Sequence, residues 1–395
     1  MNPVSEQFSR KSRILVTCPK GIAPYLRQEL EKLRFPILSE TAAAVATEGT
    51  LDDTMRLNLS LRTAHRVHFL LREFRAATPD DLYIELLSVP WESYIDAGGY
   101  VCVTSAVLTE TITDTRFANV KVKDAIVDRL REKRGRRPDS GPDRTQAVVY
   151  LFWRGDQAGI FLDTSGEALS KRGYRKMPFK APMQETLAAA VVMATGWDGR
   201  GNFINPMCGS GTLAIEAALI GLNRAPGILR DNFGFMHIMG FDRKRWLALR
   251  EEAKVQSGSA LFGKIIASDI DPAAIAAATQ NATMAKVERH ISLGACDFAE
   301  TPIPQGGGVV LLNPEYGERL GVTEQLKATY TRIGDFLKQK CSGYGGYVLT
   351  GNAELAKHIG LRPKRRLQFY NGEIECRLLE YELYEGTRKS GTTRA

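Results

Sequence analysis

The chain has 395 residues, of which 44% are hydrophobic and 25% charged, and its formal net charge is +8. This length is enough for two or three domains with apolar cores. The sequence has no apolar run near the ~20 residues of a membrane span and no signal-peptide core at its N-terminus, so we expect a cytoplasmic protein that does not associate with membranes. Its six cysteines include no C-x-x-C pair, which argues against a zinc ribbon or a disulfide framework.

The N-terminal part is predicted to form two small α+β units. Strand-like residues 14–17 and 43–47 flank a helical segment at 23–33, and we place the first unit at 1–54. The second unit, 55–166, contains strands at 69–74 and 100–107. It closes with two strands, 147–153 and 158–164, whose short polar connection predicts a hairpin.

Two histidines, His65 and His68, lie three apart on a segment that we predict to be helical. Three-residue spacing can place two ligands on one helix face, but no cysteine or acidic cluster lies nearby. We therefore interpret both as ordinary core or surface residues, and we expect no metal site in the chain.

A strongly basic segment lies within the second unit. An amphipathic helix is predicted from about Val120, with Pro138 ending it, and five cations crowd its C-terminal end. Cations at a helix C-terminus are favoured by the dipole alone, but five exceed that need, so we favour contact with phosphates. A second basic stretch follows at 171–176, interleaved with Tyr174. The candidate RNA-contacting residues are Lys121, Lys123, Arg131, Lys133, Arg134, Arg136, Arg137, Lys171, Arg172 and Arg175.

From residue 167 to 385 the pattern changes to alternating strands and helices, and 386–395 is predicted to be a disordered tail. A helix begins near Pro182, and apolar strands lie at 202–205, 264–268, 291–293, 309–312 and 347–350. The dipeptide Asn371-Gly372 predicts a closing hairpin. This order is typical of Rossmann-like methyltransferases, whose seven-stranded sheet ends in an antiparallel hairpin, rather than of nicotinamide dehydrogenases.

The first strand of this domain leads into a Gly-rich turn, FINPMCGSGT at 203–212. It matches neither the G-x-G-x-x-G dinucleotide pattern nor a P-loop. Asp269 ends the second strand, where a carboxylate can hold ribose hydroxyls. Asp297 and Phe298 follow the third strand, where they could meet an adenine amino group and ring. For each aspartate alone, a helix N-cap is an equally good interpretation.

The fourth strand ends in NPEY at 313–316. The side-chain oxygen of Asn313 and the carbonyl of Pro314 could accept the two N–H groups of an exocyclic amine, and Tyr316 could stack on its base. Such a site would orient the nitrogen toward a sulfonium methyl without needing a strong base. The alternative is a strand that ends in an Asn-Pro turn with the tyrosine packing its loop.

Taken together, these segments resemble the THUMP-domain class I RNA methyltransferases, in particular the bacterial group that makes N2-methylguanine in large-subunit ribosomal RNA. The resemblance covers nearly the whole chain. Its matching segments include VKVKDAIVDRLREKRGRRP, APMQETLAAAVV, NPMCGSGTLAIEAAL, SDIDPAAI, NPEYGERLG and YNGEIECRL.

The resemblance implies ferredoxin-like and THUMP domains that capture RNA, followed by a domain that binds S-adenosylmethionine. It implies that Pro206, Gly209, Ser210 and Gly211 line the cofactor, with Pro182 and Glu185 at its methionine end. Asp269 would bind the ribose, Asp297 and Phe298 would contact adenine, and Asn313, Pro314 and Tyr316 would hold the target amine.

Two positions depart from the family pattern. Asn205 stands where the motif usually has Asp, so we expect weaker cofactor affinity or a compensating acid such as Glu185. Glu315 replaces the second Pro of Asn-Pro-Pro-Tyr, which we expect to loosen the tip. The second methyltransferase domain of some relatives is not found in this sequence, so no dual activity is implied.

The resulting hypothesis is transfer of a methyl group to the exocyclic N2 of guanine in structured RNA, with 23S ribosomal RNA or a ribosome assembly intermediate as partner. Transfer RNA is an alternative substrate. The same Asn-Pro-x-Tyr chemistry also serves adenine-N6 methylation of DNA or RNA, and the two departures leave open a catalytically silent RNA-binding assembly factor.

Overall fold

The computed structural model describes residues 9–110, 112, 114–176, 183–316 and 323–384. These residues form two compact units. One runs to Arg172 and also includes Ala225–Ser257, and the other consists of Gly173–Arg224 and the chain from Gly258 onward. The domain boundaries drawn from the sequence stay predictions, and the tail at 386–395 lies outside the described residues.

The first unit is built on one eight-stranded sheet. Its order is β2-β3-β1-β4-β8-β7-β5-β6. The strands are β1 Ser12–Thr17, β2 Ser39–Thr41, β3 Ala44–Gly49, β4 Arg66–Arg75, β5 Tyr100–Leu108, β6 Asp139–Ser140, β7 Ala147–Arg154 and β8 Gln157–Asp163. The helices are α1 Ala23–Lys32, α2 Leu51–Ser60, α3 Pro79–Leu87 and α4 Thr115–Arg134. The two predicted α+β units thus share a sheet, because β4 pairs with β1 along one edge and with β8 along the other.

Helix ends in this unit follow local capping chemistry. Thr50 and Thr78 each form a capping box with the aspartate three residues later, which starts α2 and α3. The predicted bounds of the basic helix are wrong at both ends. Asp114 caps α4 six residues before Val120, and Gly135 ends it in the left-handed conformation at φ 66°, ahead of Pro138.

The helical prediction for His65 and His68 is also wrong, because His68 lies on β4. Its ring is 1% exposed and stacks on Tyr150 with the ring centroids 4.3 Å apart. This is a core position, and among the described residues no group of three or more His, Cys, Asp or Glu side chains could hold a metal ion.

The segment Ala225–Ser257 carries α5 Arg243–Val255 and packs within the first unit. Arg230 is 7% exposed and donates to the carbonyl oxygens of Ala168, Ser165 and Glu167. Gly234 lies against the backbone of Asp163, where an added Cβ would be 2.3 Å from the carbonyl oxygen. Close backbone packing therefore fixes this segment within the first unit.

The second unit has a seven-stranded sheet of order β11-β10-β9-β12-β13-β15-β14. The strands are β9 Asn202–Pro206, β10 Ile265–Asp269, β11 Ile291–Ala295, β12 Gly308–Leu312, β13 Tyr344–Thr350, β14 Arg365–Asn371 and β15 Ile374–Glu382. The first five strands of that order are parallel, and β15 runs antiparallel to both of its neighbours, β13 and β14. The predicted Rossmann-like sheet with an antiparallel terminal hairpin is confirmed.

One α-helix of this unit precedes β9, and others follow β9, β10, β12 and β13. They are α6 Glu185–Ala194, α7 Thr212–Gly221, α8 Pro272–Met284, α9 Thr323–Lys340 and α10 Ala353–Lys357. The first of them begins at Glu185, later than predicted, and Pro182 lies outside the described residues. Among the described residues, no helix is long and apolar enough to cross a membrane.

Candidate active site

The Gly-rich turn after β9 is held by the neighbouring strand β10. The N–H of Cys208 donates to the Ser268 carbonyl at 2.9 Å, and the N–H of Gly209 donates to Asp269 Oδ2 at 2.9 Å. Gly209 has φ 53°, and a Cβ placed on it would meet no atom of the described residues within 4 Å. The turn therefore presents bare backbone at the start of α7, which suits the close approach of a polar ligand.

Met207, directly before this turn, is a non-glycine residue with φ 58°. A left-handed backbone is costly for such a side chain and is retained where the surroundings enforce it. Later in the turn, Gly211 is needed for packing, because an added Cβ would be 2.9 Å from the Cβ of Ala278 on α8. The sequence predicted the glycines of this turn but not the strained methionine.

Asp269, at the end of β10, uses both carboxylate oxygens to order the loops around it. Oδ2 accepts from Gly209 N, and Oδ1 accepts from the N–H of Asp271 at 3.0 Å. Each oxygen retains a second lone pair that could accept from a sugar hydroxyl. The next residue, Ile270, is 72% exposed and offers an apolar face beside this carboxylate, a feature that the sequence reasoning missed.

Asp297 follows β11 and is already well partnered. Its Oδ1 accepts from the N–H of Ala299 at 2.9 Å and from Arg332 at 2.7 Å. Partial burial acts to raise the pKa of Asp297, but these two hydrogen bonds outweigh it and hold the pKa below its usual range. Phe298 is 5% exposed and packs edge-on against Phe336, so only a small part of its ring could meet adenine. Both adenine roles stay predictions.

Two asparagines at the carboxyl ends of adjacent strands have side-chain oxygens that no described residue bonds. Asn205 is completely buried on β9, and its Nδ2 donates to the Leu311 carbonyl on β12 at 2.8 Å. Its Oδ1 is buried and has no hydrogen-bond partner among the described residues, and the same is true of Oδ1 of Asn313 just beyond β12. Because β9 and β12 are parallel neighbours, both asparagines lie at the same edge of the sheet. Buried acceptors without partners are uncommon and call for an explanation.

The tip 313–316 is braced from two elements. The hydroxyl of Tyr330 on α9 donates to the Glu315 carbonyl at 3.4 Å, while the Glu315 side chain is exposed. Asn371 Nδ2 donates to the hydroxyl of Tyr316 at 3.0 Å. Burial raises the pKa of Tyr316 to about 12, so this hydroxyl stays neutral at physiological pH. Pro314, which precedes Glu315, is buried.

Glu185 and Arg175 form an ion pair in the same unit. Glu185 is 5% exposed and begins α6, and its Oε2 lies 3.6 Å from Arg175 Nη2. Arg175 also donates to Thr212 Oγ1 at 3.2 Å, at the first residue of the helix that follows the Gly-rich turn. Its side chain is 17% exposed. Arg175, predicted to contact RNA, is therefore committed to this buried ion pair instead of to the surface.

Arg172 likewise cannot serve as a surface contact. It is 1% exposed, and its guanidinium donates to the carbonyl oxygens of Leu169 and Arg62. Buried arginines bonded to backbone carbonyls stabilise the fold and do not reach a phosphate. Lys171 next to it is exposed and pairs with Glu167.

The remaining basic candidates lie on or just after α4. Lys121 donates to Asp80, and Lys123 and Lys133 pair with neighbouring acids. Within the described part of the chain, the exposed Arg131, Arg134, Arg136 and Arg137 form no ion pair within 4 Å. These four are free to meet phosphates, and their RNA contacts stay a prediction.

The second unit has a class I methyltransferase fold. This fold is defined by the parallel strands, the terminal hairpin, and the Gly-rich turn and Asp269 at the carboxyl edge of the sheet. Comparisons with known proteins agree. Residues 172–380 match the family of RMKL-like methyltransferase domains, 13–68 match the RlmL ferredoxin-like domain, and 76–163 match the THUMP domain. The chain belongs to the RMKL-like methyltransferase family.

Curated relatives extend this likeness along most of the chain. One from Syntrophotalea carbinolica, named ribosomal RNA large subunit methyltransferase K/L, is 39% identical over 94% of this chain and 54% of its own length. One of the same name from Pseudomonas aeruginosa is 37% identical over 93% of this chain and 52% of its own. The chain thus spans about half the length of the curated relatives it matches.

Two solved structures match over nearly their whole length. SMU.472, described as a methyltransferase complexed with SAH, is 28% identical with a TM-score of 0.86, covering 96% of this chain and 100% of its own. A Listeria monocytogenes protein, named a predicted N6-adenine-specific DNA methylase, is 30% identical with a TM-score of 0.85, covering 97% and 99%. These likenesses confirm the predicted family and fold class.

Proposed function

We propose that this protein transfers a methyl group from S-adenosylmethionine to the exocyclic N2 of a guanine in structured RNA, with 23S ribosomal RNA as the first substrate to test. The observation that carries the proposal is the buried Oδ1 of Asn313 at the carboxyl edge of the sheet, which has no hydrogen-bond partner in the part of the chain that the structure describes. An amine N–H of a bound base would satisfy it.

The residues around the Gly-rich turn fit the cofactor. The open backbone at Gly209 could approach its polar groups, and Asp269 has lone pairs left for ribose hydroxyls. Oδ1 of Asn205 and the carboxylate of Glu185 are buried acceptors suited to an ammonium group. Arg175 balances the charge of Glu185. When bound, S-adenosylmethionine supplies an electrophilic methyl group on a positively charged sulfur.

The protein's own contribution is orientation. Asn313 Oδ1 and the Pro314 carbonyl would accept the two N–H groups and so direct the nitrogen lone pair out of conjugation with the base. Tyr316 would support one face of the base. The tip residues offer no buried general base, since their one acidic side chain, Glu315, is exposed, so the proton released from the amine passes to water.

RNA is favoured over DNA as the substrate class. The THUMP match at 76–163 and the unpaired arginines at the end of α4 and just after it support an RNA-binding N-terminal unit. The relatives named for large-subunit ribosomal RNA support the rRNA choice, and the Listeria protein named for DNA adenine keeps adenine N6 as the competing target.

The test is methylation of ribosomal RNA from a strain that lacks this gene, with labelled S-adenosylmethionine. Ribosomal RNA from the parent strain, transfer RNA and duplex DNA are the controls. We expect label only in the rRNA from the deletion strain, recovered as N2-methylguanosine after digestion. Label recovered as N6-methyladenine, or incorporated equally into DNA, would contradict the proposal.

A further inference from the structure

The hydroxyl of Tyr316 is held by the closing hairpin of the sheet. It accepts from Asn371 Nδ2 at 3.0 Å, and the thiol of Cys376 lies 3.7 Å from it. Asn371 ends β14, and Cys376 lies in β15, so both arms of the hairpin reach the same hydroxyl. The Cys376 thiol has one S–H and lies equally far, 3.7 Å, from the Ile374 carbonyl oxygen, so the amide of Asn371 is the stronger donor that fixes the Tyr316 hydroxyl.

The ring of Tyr316 has a closely fitted seat as well. An added Cβ on Gly351, just beyond β13, would be 2.8 Å from Tyr316 Cδ2 and 2.9 Å from Cγ2 of Ile374. No side chain fits at 351 without moving the ring, since contacts under 3.0 Å require something to shift. The ring thus packs against the end of β13 while the hairpin holds its hydroxyl.

The backbone beside Tyr316 is anchored independently. The Glu315 carbonyl accepts from Tyr330, whose hydroxyl also lies 2.7 Å from Thr350 Oγ1. Tyr330 is completely buried in the core beneath the sheet. Backbone and side chain of the tip are therefore fixed from different elements, α9 and the hairpin.

We propose that Asn371 is a positioning residue: its hydrogen bond to the Tyr316 hydroxyl sets the orientation of the ring on which the target base stacks. That the target base stacks on this ring rests on the proposed function. The hydrogen bond from Asn371 to the Tyr316 hydroxyl, which we call the tether, does not. We assign the hydroxyl no chemical part in methyl transfer, because burial raises the pKa of Tyr316 to about 12 and keeps it neutral.

The experiment is a double-mutant cycle with Asn371→Ala, Tyr316→Phe and the double variant. Each removes one end of the same hydrogen bond, so their effects should not multiply. We expect each single variant to lower kcat by about tenfold, and the double variant to be no slower than the slower single. The affinity for SAH, measured by calorimetry, should stay within twofold of the wild type.

Gln368→Ala is the matched control. Gln368 is an exposed amide on the same strand, β14, and donates to the hydroxyl of Tyr370 at 2.8 Å rather than to the tip. It should leave kcat within twofold. Effects of Asn371→Ala and Tyr316→Phe that multiply to about a hundredfold would overturn the proposal, as would an equal loss with Gln368→Ala.

Thermal unfolding of the same proteins tests the tether without any methylation. We expect the midpoint shifts of Asn371→Ala and Tyr316→Phe to be non-additive, because they remove the same bond. Additive shifts would overturn the tether. A wild-type protein that methylates no RNA but shows non-additive midpoints would instead overturn the proposed function and leave the tether in place.

Discussion

The side-chain amide of Asn205 donates from Nδ2 to the carbonyl oxygen of Leu311 at 2.8 Å. This bond joins the end of the strand that leads to the Gly-rich turn to the strand that leads to Asn313. Because Asn205 is completely buried, the bond is shielded from water. A carboxylate at this position has no N–H to donate, so asparagine supports a link that the expected aspartate cannot make in its ionised form.

We therefore expect Asn205→Asp to destabilise the second unit without improving cofactor binding. A buried carboxylate facing a carbonyl loses a hydrogen bond and leaves an acceptor unsatisfied, at a cost of about 1–3 kcal/mol in the free energy of unfolding. Urea unfolding measures the stability, and calorimetry with SAH measures the cofactor affinity. The control is Asp335→Asn, the reverse exchange at an exposed site in the same unit, which should change neither. Tighter SAH binding by Asn205→Asp at an unchanged free energy of unfolding would instead mean that asparagine at this position lowers the affinity of the protein for its cofactor.

Asp269→Asn should weaken SAH binding by about tenfold or more. The carboxamide keeps one acceptor oxygen and so cannot hold both Gly209 and Asp271, while it also loses the charge that strengthens bonds to ribose hydroxyls. Calorimetry with SAH measures the loss. An unchanged Kd would remove Asp269 from the cofactor site and leave it a loop-ordering residue.

Neutralising Arg134, Arg136 and Arg137 together should weaken RNA binding and flatten its salt dependence. Removing one phosphate interaction lowers the log–log slope by roughly 0.7 to 0.9. The control is a triple Gln variant at three scattered exposed cations, Arg75, Arg200 and Lys357. Equal slopes for the two triple variants would show that only net charge matters and that the end of α4 is not the contact surface.

His68 should make the first unit sensitive to acid. Burial lowers the pKa of His68 to about 4, with nearby Arg66 and Arg144 lowering it further and Asp163 opposing them. The unfolded chain binds a proton near pH 6.5 and the folded one only near pH 4, so stability is full above 6.5 and falls as the pH drops through this window. The expected loss in the free energy of unfolding is about 3 kcal/mol.

His68→Phe keeps an aromatic ring against Tyr150 and removes this titration. Urea unfolding at about pH 7 and about pH 4.5 should show a smaller pH-dependent loss of unfolding free energy for His68→Phe than for the wild type. His358→Gln, at an exposed histidine, should behave like the wild type. Identical losses in all three proteins would assign the acid sensitivity to other groups.

The sequence predicted what depends on strand order and local spacing. Apolar runs predict the strands that lead to Asn205, Asp269 and Asn313. Because parallel strands bring their carboxyl ends to one edge of a sheet, the same pattern predicts that these three residues lie near one another. The motif strings carried enough family resemblance to give the correct fold class. These features depend on local sequence or on strand order, so they could be predicted without knowing which side chains the fold buries.

Features that depend on tertiary packing were missed. Arg172 and Arg175 have the composition of a basic surface, but the fold buries one and pairs the other with Glu185. Asn371 was interpreted as a turn residue, although the loop between the paired Asn371 and Ile374 is Gly372-Glu373 and the Asn371 side chain reaches Tyr316. A short pattern around a turn carries no information on which distant side chain its amide will meet.

The central claim is that Asn313 binds the amine that receives the methyl group. Its most direct test is the rate of N2-methylguanosine formation by Asn313→Ala under saturating cofactor, measured by nucleoside mass analysis beside calorimetry with SAH. We predict a loss of about a hundredfold or more in rate with an unchanged SAH Kd. Methylation that continues at the wild-type rate, or a rate loss matched by an equal loss of SAH affinity, would contradict it.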